Sequence, residues 1–147
     1  IVMAREGTHV DLGGVITLEG ENSTGINNSR AVIMDDSEVI TRGKIDARES
    51  ATKGHIGCDA LLMEDGASME TYPGLSSRVE DAELSHEAAI GDIKEEKLFY
   101  LMSRGLDEQE ATQLIVQGFV EPTIQDLPEE YLSEIRKIIE LALQGEG

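Results

Sequence analysis

The chain has 147 residues, 12 of them basic against 30 acidic for a net charge of -18, with 3% aromatics and no tryptophan. That length supports one core, or one core with a small satellite, built from aliphatic side chains. The charge would repel phosphate backbones and anionic lipid surfaces, so nucleic acid and membrane are not expected as partners. No apolar run approaches the roughly 20 residues that span a bilayer and no leader-like segment opens the chain, so the expected location is cytoplasmic. A single cysteine, Cys58, cannot form an internal disulfide. Beginning at Ile1 in strand-like sequence, the chain reads as a piece of something longer.

From Val10 to about Ala89, apolar runs are broken at short intervals by turn chemistry. The expected breaks are Gly13-Gly14, Gly20-Glu21-Asn22, Asn27-Asn28-Ser29, Asp35-Asp36, Arg42-Gly43-Lys44, Asp65-Gly66 and Pro73-Gly74. SRAVIMDDSEV at 29–39 aligns with CDALLMEDGAS at 58–68 at a shift of 29 residues. A further echo, GHIG at 54–57 against SHEA at 85–88, has a shift of 31. Repeats of this length built from short strands suggest stacked rungs of a solenoid, with a small β-sandwich as the alternative.

After Gly91 the period changes to that of helices. Asp92 with Glu95 reads as a capping box, and Ile93, Leu98, Leu101 and Met102 then share one face until Gly105 stops it. Asp107 with Glu110 makes a second box, with Ala111, Leu114, Ile115 and Phe119 as the stripe and Pro122 as the expected end. A third helix begins near Pro128 and carries Tyr131, Leu132, Ile135, Ile138, Ile139 and Ala142. The expected domains are therefore 1–91 and 92–147.

Three residues stand out as chemistry. Cys58 aligns with Ser29 of the preceding repeat, so a small polar residue suffices there and sulfur is not needed for packing. At the 31-residue shift Glu87 falls opposite Ile56, which would aim a carboxylate where a core side chain belongs, and His86 falls opposite His55. Thiolate, imidazole and carboxylate are the ligand types of iron, iron-sulfur clusters and zinc. Without a CxxC spacing, any such site has to be shared with another chain or weakly held. An inert buried cysteine and a solvated His-Glu pair are the competing readings. A cysteine hydrolase has little support, and Gly43-Lys44 lacks the rest of a nucleotide-binding loop.

CDALLMEDGASMETYP, SHEAAIGDI, EEKLFYLMSRGLDEQEATQLIVQGF and LPEEYLSEIRKIIELAL together resemble the SufB/SufD family over roughly residues 29 to 143. The resemblance implies a mainly β plus α protein: a right-handed parallel β-helix, here its C-terminal rungs at 1–91, followed by a small C-terminal helical domain at 92–147. It implies a non-enzymatic scaffold subunit of iron-sulfur cluster assembly that pairs with a second SufB/SufD chain, as homodimer or heterodimer, and binds the SufC ATPase. Cys58 matches the family's CDS cysteine, and His86 with Glu87 match the HEA motif, which leans toward SufB. The implied cluster is transient and belongs to the full complex, with none expected on this piece alone. Leu98, Phe99, Arg104 and Gly105 match the ATPase-contacting region. A further cysteine of some SufB proteins is replaced here by Ala67, Ser68 and Met69. The alternative is a SufD-like structural adaptor that binds the ATPase without holding iron.

Overall fold

The short apolar runs assemble into long parallel strands. A computed structural model, describing residues 1–124 and 127–143, gives β1 Val2–Ala4, β2 His9–Leu18, β3 Thr24–Ile33, β4 Glu38–Ala47, β5 Lys53–Leu62, β6 Ser68–Thr71, β7 Gly74–Ser77 and β8 Glu83–Asp92. One sheet has the order β1-β3-β5-β8, and the other has β2-β4-β6 with β7 also beside β4. Successive strands in each sheet come from successive turns of the chain, and the registered pairs are parallel. This is a parallel β-helix of about three turns. By contact, Val2–Gly91 forms one unit, and Asp92–Gly147 with Ile1 forms another.

The 29-residue echo is the rung spacing. Ser29 registers with Cys58, Val32 with Leu61 and Ile33 with Leu62. Alternate residues of each strand point between the two sheets, where one cluster joins Ala4, Ala31, Ile33, Val39, Ala60 and Ala67. A second joins Leu18, Ile45, Ala47, Ile56 and Cys58. Small and branched residues suit so narrow an interior.

Three of the expected breaks are not turns. Gly13-Gly14 lies within β2, Asn27-Asn28-Ser29 within β3 and Arg42-Gly43-Lys44 within β4. The glycines at 14 and 43 permit a close approach of the opposite sheet. A Cβ on Gly43 would stand 3.1 Å from Ile56 Cγ2, and one on Gly14 would stand 3.2 Å from Asn27 Nδ2. Asn27 is drawn inward to donate from Nδ2 to the Gly14 carbonyl at 3.1 Å. The true corners include Glu6-Gly7, Glu21-Asn22, Asp35-Asp36 and Ser50-Ala51, with left-handed φ of 60° at Glu6, 61° at Asn22, 54° at Asp35 and 54° at Ala51. Carboxylates of the next rung accept from several of these corner amides: Asp35 Oδ2 from Glu6 N at 2.6 Å, Glu64 Oε2 from Asp35 N at 2.8 Å, and Asp81 Oδ2 from Ala51 N at 3.0 Å.

The spacing changes once. Glu38 registers with Ser68 and Lys44 with Gly74, a shift of 30. Four residues separate Ile33 from Glu38, whereas five separate Leu62 from Ser68, so the corner around Asp65-Gly66 takes up the extra residue.

In the other unit, α1 spans Glu95–Ser103, α2 Glu108–Ile124 and α3 Glu129–Leu143. Asp92 does not cap α1: it ends β8, and Lys94 occupies the N-cap with no side-chain bond. The second box forms as expected, with Asp107 Oδ1 accepting from Glu110 N at 2.8 Å and Glu110 Oε2 from Asp107 N at 2.9 Å. Pro122 does not end α2, which runs to Ile124. So near the C-terminus its missing N–H removes a single bond from the helix. The buried residues of α2 are Ala111, Val116, Val120 and Ile124, while Leu114 is 49% exposed. Two overlapping apolar stripes exist on this helix, and periodicity does not choose between them. In α3, Leu132 and Ile139 are buried, whereas Tyr131 and Ile138 are exposed.

Candidate functional site

Cys58 lies in the middle of β5, and its side chain enters the space between the sheets. It is 2% exposed, packed with Leu18, Ile45, Ala47 and Ile56, and Thr41 Oγ1 of the opposite sheet donates to its Sγ at 3.8 Å. Its counterpart one rung earlier, Ser29, donates from Oγ to the Gly57 carbonyl at 3.3 Å.

The position of His86 and Glu87 follows from the backbone. Where Thr24 registers with Lys53, Lys53 N donates to Ser23 O at 2.9 Å. Glu83 N donates in the same way to Thr52 O, also at 2.9 Å, which pairs Lys53 with Glu83. Two cross-rung contacts agree, Lys53 Nζ with Glu83 Oε2 at 2.9 Å and His55 Nδ1 with Ser85 Oγ at 2.9 Å. The shift here is therefore 30 and not 31. It moves Glu87 from Ile56 to Gly57, and His86 from His55 to Ile56.

One residue of slip exchanges the two faces of a strand. Glu87 accordingly lies on the outer face, not on the core face expected for it. His86 falls in the inward column of Asn27 and Ile56, at the exposed last strand of the sheet. Cys58 and His86 therefore share one face, and Glu87 belongs to the other. No cluster of three or more His, Cys, Asp or Glu side chains suited to a metal ion occurs among the described residues.

The outer face beside Glu87 has its own features. Gly57 leaves a bay in which a Cβ would meet Asn28 Oδ1 at 2.6 Å and His55 Nε2 at 3.6 Å. Asn28 and His55 thus flank a position without a side chain, and Glu87 stands beside it on β8 by register. Asn28 lies in a run that reads as a turn in sequence but belongs to β3, and a glycine inside a strand is the available signal for this bay.

Leu98 and Phe99 line a shallow groove on α1 with Glu95, Glu96 and Met102, and Phe99 is 75% exposed. No residue of α1 is buried. Arg104 lies over the Tyr100 ring at 5.1 Å and donates to its hydroxyl at 3.1 Å. Gly105, with φ of 101°, donates to Met102 O at 3.0 Å and closes the helix.

The chain matches the family model described as SUF system FeS cluster assembly, SufBD core domain, over residues 1–119. An iron-sulfur cluster assembly SufBD family protein of Pyrococcus horikoshii is 63% identical over 145 residues, covering 99% of this chain and 32% of the relative. One from Archaeoglobus fulgidus is 44% identical over 142 residues, covering 97% and 38%. One from Mycobacterium leprae is 36% identical over 147 residues, covering 99% and 17%. The chain thus spans roughly a third of the length of the archaeal relatives and less of the mycobacterial one. A family match across most of the sequence, on a parallel β-helix with helices at its C-terminal end, has one reading: the chain belongs to the SufBD family of iron-sulfur cluster assembly proteins.

Proposed function

We propose that this chain is part of a non-enzymatic scaffold subunit of the SUF machinery, working in the cytoplasm. It pairs with a second SufB/SufD chain and binds a SufC-type ATPase, and a nascent iron-sulfur cluster is the cargo. The observation that carries this reading is the family match over residues 1–119, which takes in Cys58, His86, Glu87 and α1. The open apolar surface of Leu98, Phe99 and Met102 supports α1 as the ATPase-binding helix, since Phe99 is 75% exposed among the described residues. Arg104 lies with Tyr100 on another side of α1, where it would make a second contact, and Gly105 ends the helix.

Cys58 and His86 would act on the cluster from the inner face, and Glu87 would meet it only around the open edge of β8. A partner chain would complete the ligand set. A second reading, an adaptor that holds no iron, is favoured by the burial of Cys58 at 2%. Anaerobic reconstitution of the full-length protein with its partner and ATPase separates the two. Loss of cluster absorbance in Cys58→Ser and Glu87→Gln is expected for the scaffold, whereas equal yield in both and in wild type leaves the adaptor. For the ATPase, a Phe99→Ala, Arg104→Ala double variant should weaken SufC binding, and unchanged affinity in a folded protein would remove α1 from that role.

A further inference from the structure

The outer bay at Gly57 brings an amide oxygen and an imidazole nitrogen together on the face opposite the buried thiol. Asn28, Gly57 and Glu87 come from three consecutive strands, β3, β5 and β8, at matching register. Adjacent strands lie about 4.8 Å apart, so Asn28 and Glu87 start about 10 Å from one another across the glycine. Asn28 already leans over that gap, since its Oδ1 stands 2.6 Å from where a Gly57 Cβ would be. Glu87 is long enough to reach the same space from the other side. Any larger residue at 57 would fill it.

The histidine ring is oriented by a neighbour on β8. His55 Nδ1 is 2.9 Å from Ser85 Oγ, and Nε2 is directed to the bay, 3.6 Å from the Gly57 Cβ position. With the proton on Nδ1 donated to Ser85, the lone pair of Nε2 is left for a ligand, which is the usual second-sphere arrangement of a metal-binding imidazole. Neither Nε2, Asn28 nor Glu87 has a hydrogen bond to another side chain among the described residues. Imidazole nitrogen, carboxylate oxygen and amide oxygen are borderline to hard donors, suited to a divalent first-row metal and poorly matched to a thiophilic one.

We propose that Asn28, His55 and Glu87 bind a divalent first-row metal ion on the outer face of the β-helix, with the remaining coordination positions open to solvent. This deepens the scaffold reading, on which it rests for the choice of ferrous iron as the physiological ion: iron would be received on the outer face, apart from the sulfur chemistry available to Cys58 inside. No electron transfer is involved, and binding releases only water and any proton held by the ligands.

The test is a cobalt(II) titration of the metal-free full-length protein, followed by visible absorption and calorimetry and needing neither partner nor ATPase. Wild type should bind one strong equivalent with ligand-field bands and no sulfur-to-cobalt charge transfer. His55→Ala and Glu87→Gln should each weaken binding about tenfold or more, an effect of the size seen when metal sites lose a supporting residue. Glu83→Gln, which removes the same charge from the same strand, should bind as wild type does. Thermal melts establish that each variant is folded. A charge-transfer band, or equal loss in Glu83→Gln, would overturn the site in favour of the thiol or of diffuse acidic binding. Undiminished binding in His55→Ala and Glu87→Gln would do the same. Because cluster reconstitution is read separately, a failure here leaves the scaffold reading standing, and a failed reconstitution leaves this site standing.

Discussion

The β unit and the helical unit differ in how much of their apolar surface is covered, although Val15 and Ile26 of the first are exposed and Val116 and Val120 of the second are buried. In the β-helix, Ile33, Val39, Ile45 and Ile56 are all at or below 1% exposure, and most of the pairing that locates them runs from one rung to the next. Among the helices, Phe99, Tyr100, Leu114, Tyr131 and Ile138 are each between 49% and 75% exposed. Ladders of charge reinforce the first pattern: Arg30 Nη2 meets Asp59 Oδ2 at 2.8 Å, and Arg42 Nε meets Asp11 Oδ1 at 2.9 Å, both across rungs. The contrast separates a part with a continuous buried interior from a part in which large apolar side chains are mostly uncovered among the described residues.

The largest effect that would break this contrast is expected inside the β-helix. Ile45→Ala should cost about 2–5 kcal/mol in equilibrium denaturation, because the cavity lies between two sheets that cannot collapse onto it. A cost below 1 kcal/mol would mean that the β-helix interior is as loosely used as the helix surfaces. Gly54→Ala should cost about 1–3 kcal/mol by overpacking, since its Cβ would stand 2.7 Å from Leu84 Cδ2 and 2.9 Å from Ile45 Cγ2. In the helical unit, Asp107→Ala should cost about 1 kcal/mol through loss of the capping box. Ile138→Ala, at 61% exposure, should stay within about 0.5 kcal/mol while weakening any partner that covers it.

The smallest expected effect is electrostatic. The hydrogen bond from Arg42 holds the Asp11 carboxyl below its ordinary value, and the one from Arg48 does the same for Asp46. A carboxyl depressed in the folded state adds stability that is complete above its unfolded value and is lost as pH falls through the folded one. Arg42→Ala should therefore flatten the acid limb of the stability curve at low salt. At high salt the two curves should converge, because these pairs are solvent-exposed.

The 29-residue period was legible because rung pairing forces like residues onto like positions, as with Ser29 and Cys58 or Ile33 and Leu62. The positions of His86 and Glu87 were not, because they depend on a one-residue change at a corner whose sequence, Met63 to Ala67, has no apolar pattern to set its count. Interior glycines misled for a related reason. Gly14 and Gly43 look like turns, yet what they accommodate is Asn27 and Ile56 from the opposite sheet, a contact no local window contains. The capping box at Asp107 was readable since all its partners lie within four residues, whereas Asp92 was claimed by β8.

The extra residue at the Asp65-Gly66 corner separates rung length from strand phase. An insertion inside β5 would exchange its inner and outer faces, but one absorbed at a corner leaves each strand presenting the same alternation as before. Corners are thus places where the chain accepts added length without rewriting the chemistry of the next strand. A short peptide tag or a fluorophore-bearing loop inserted between Asp65 and Gly66 should leave Cys58 facing inward and Glu87 facing outward, which gives this β-helix a built-in attachment point for reporters of assembly.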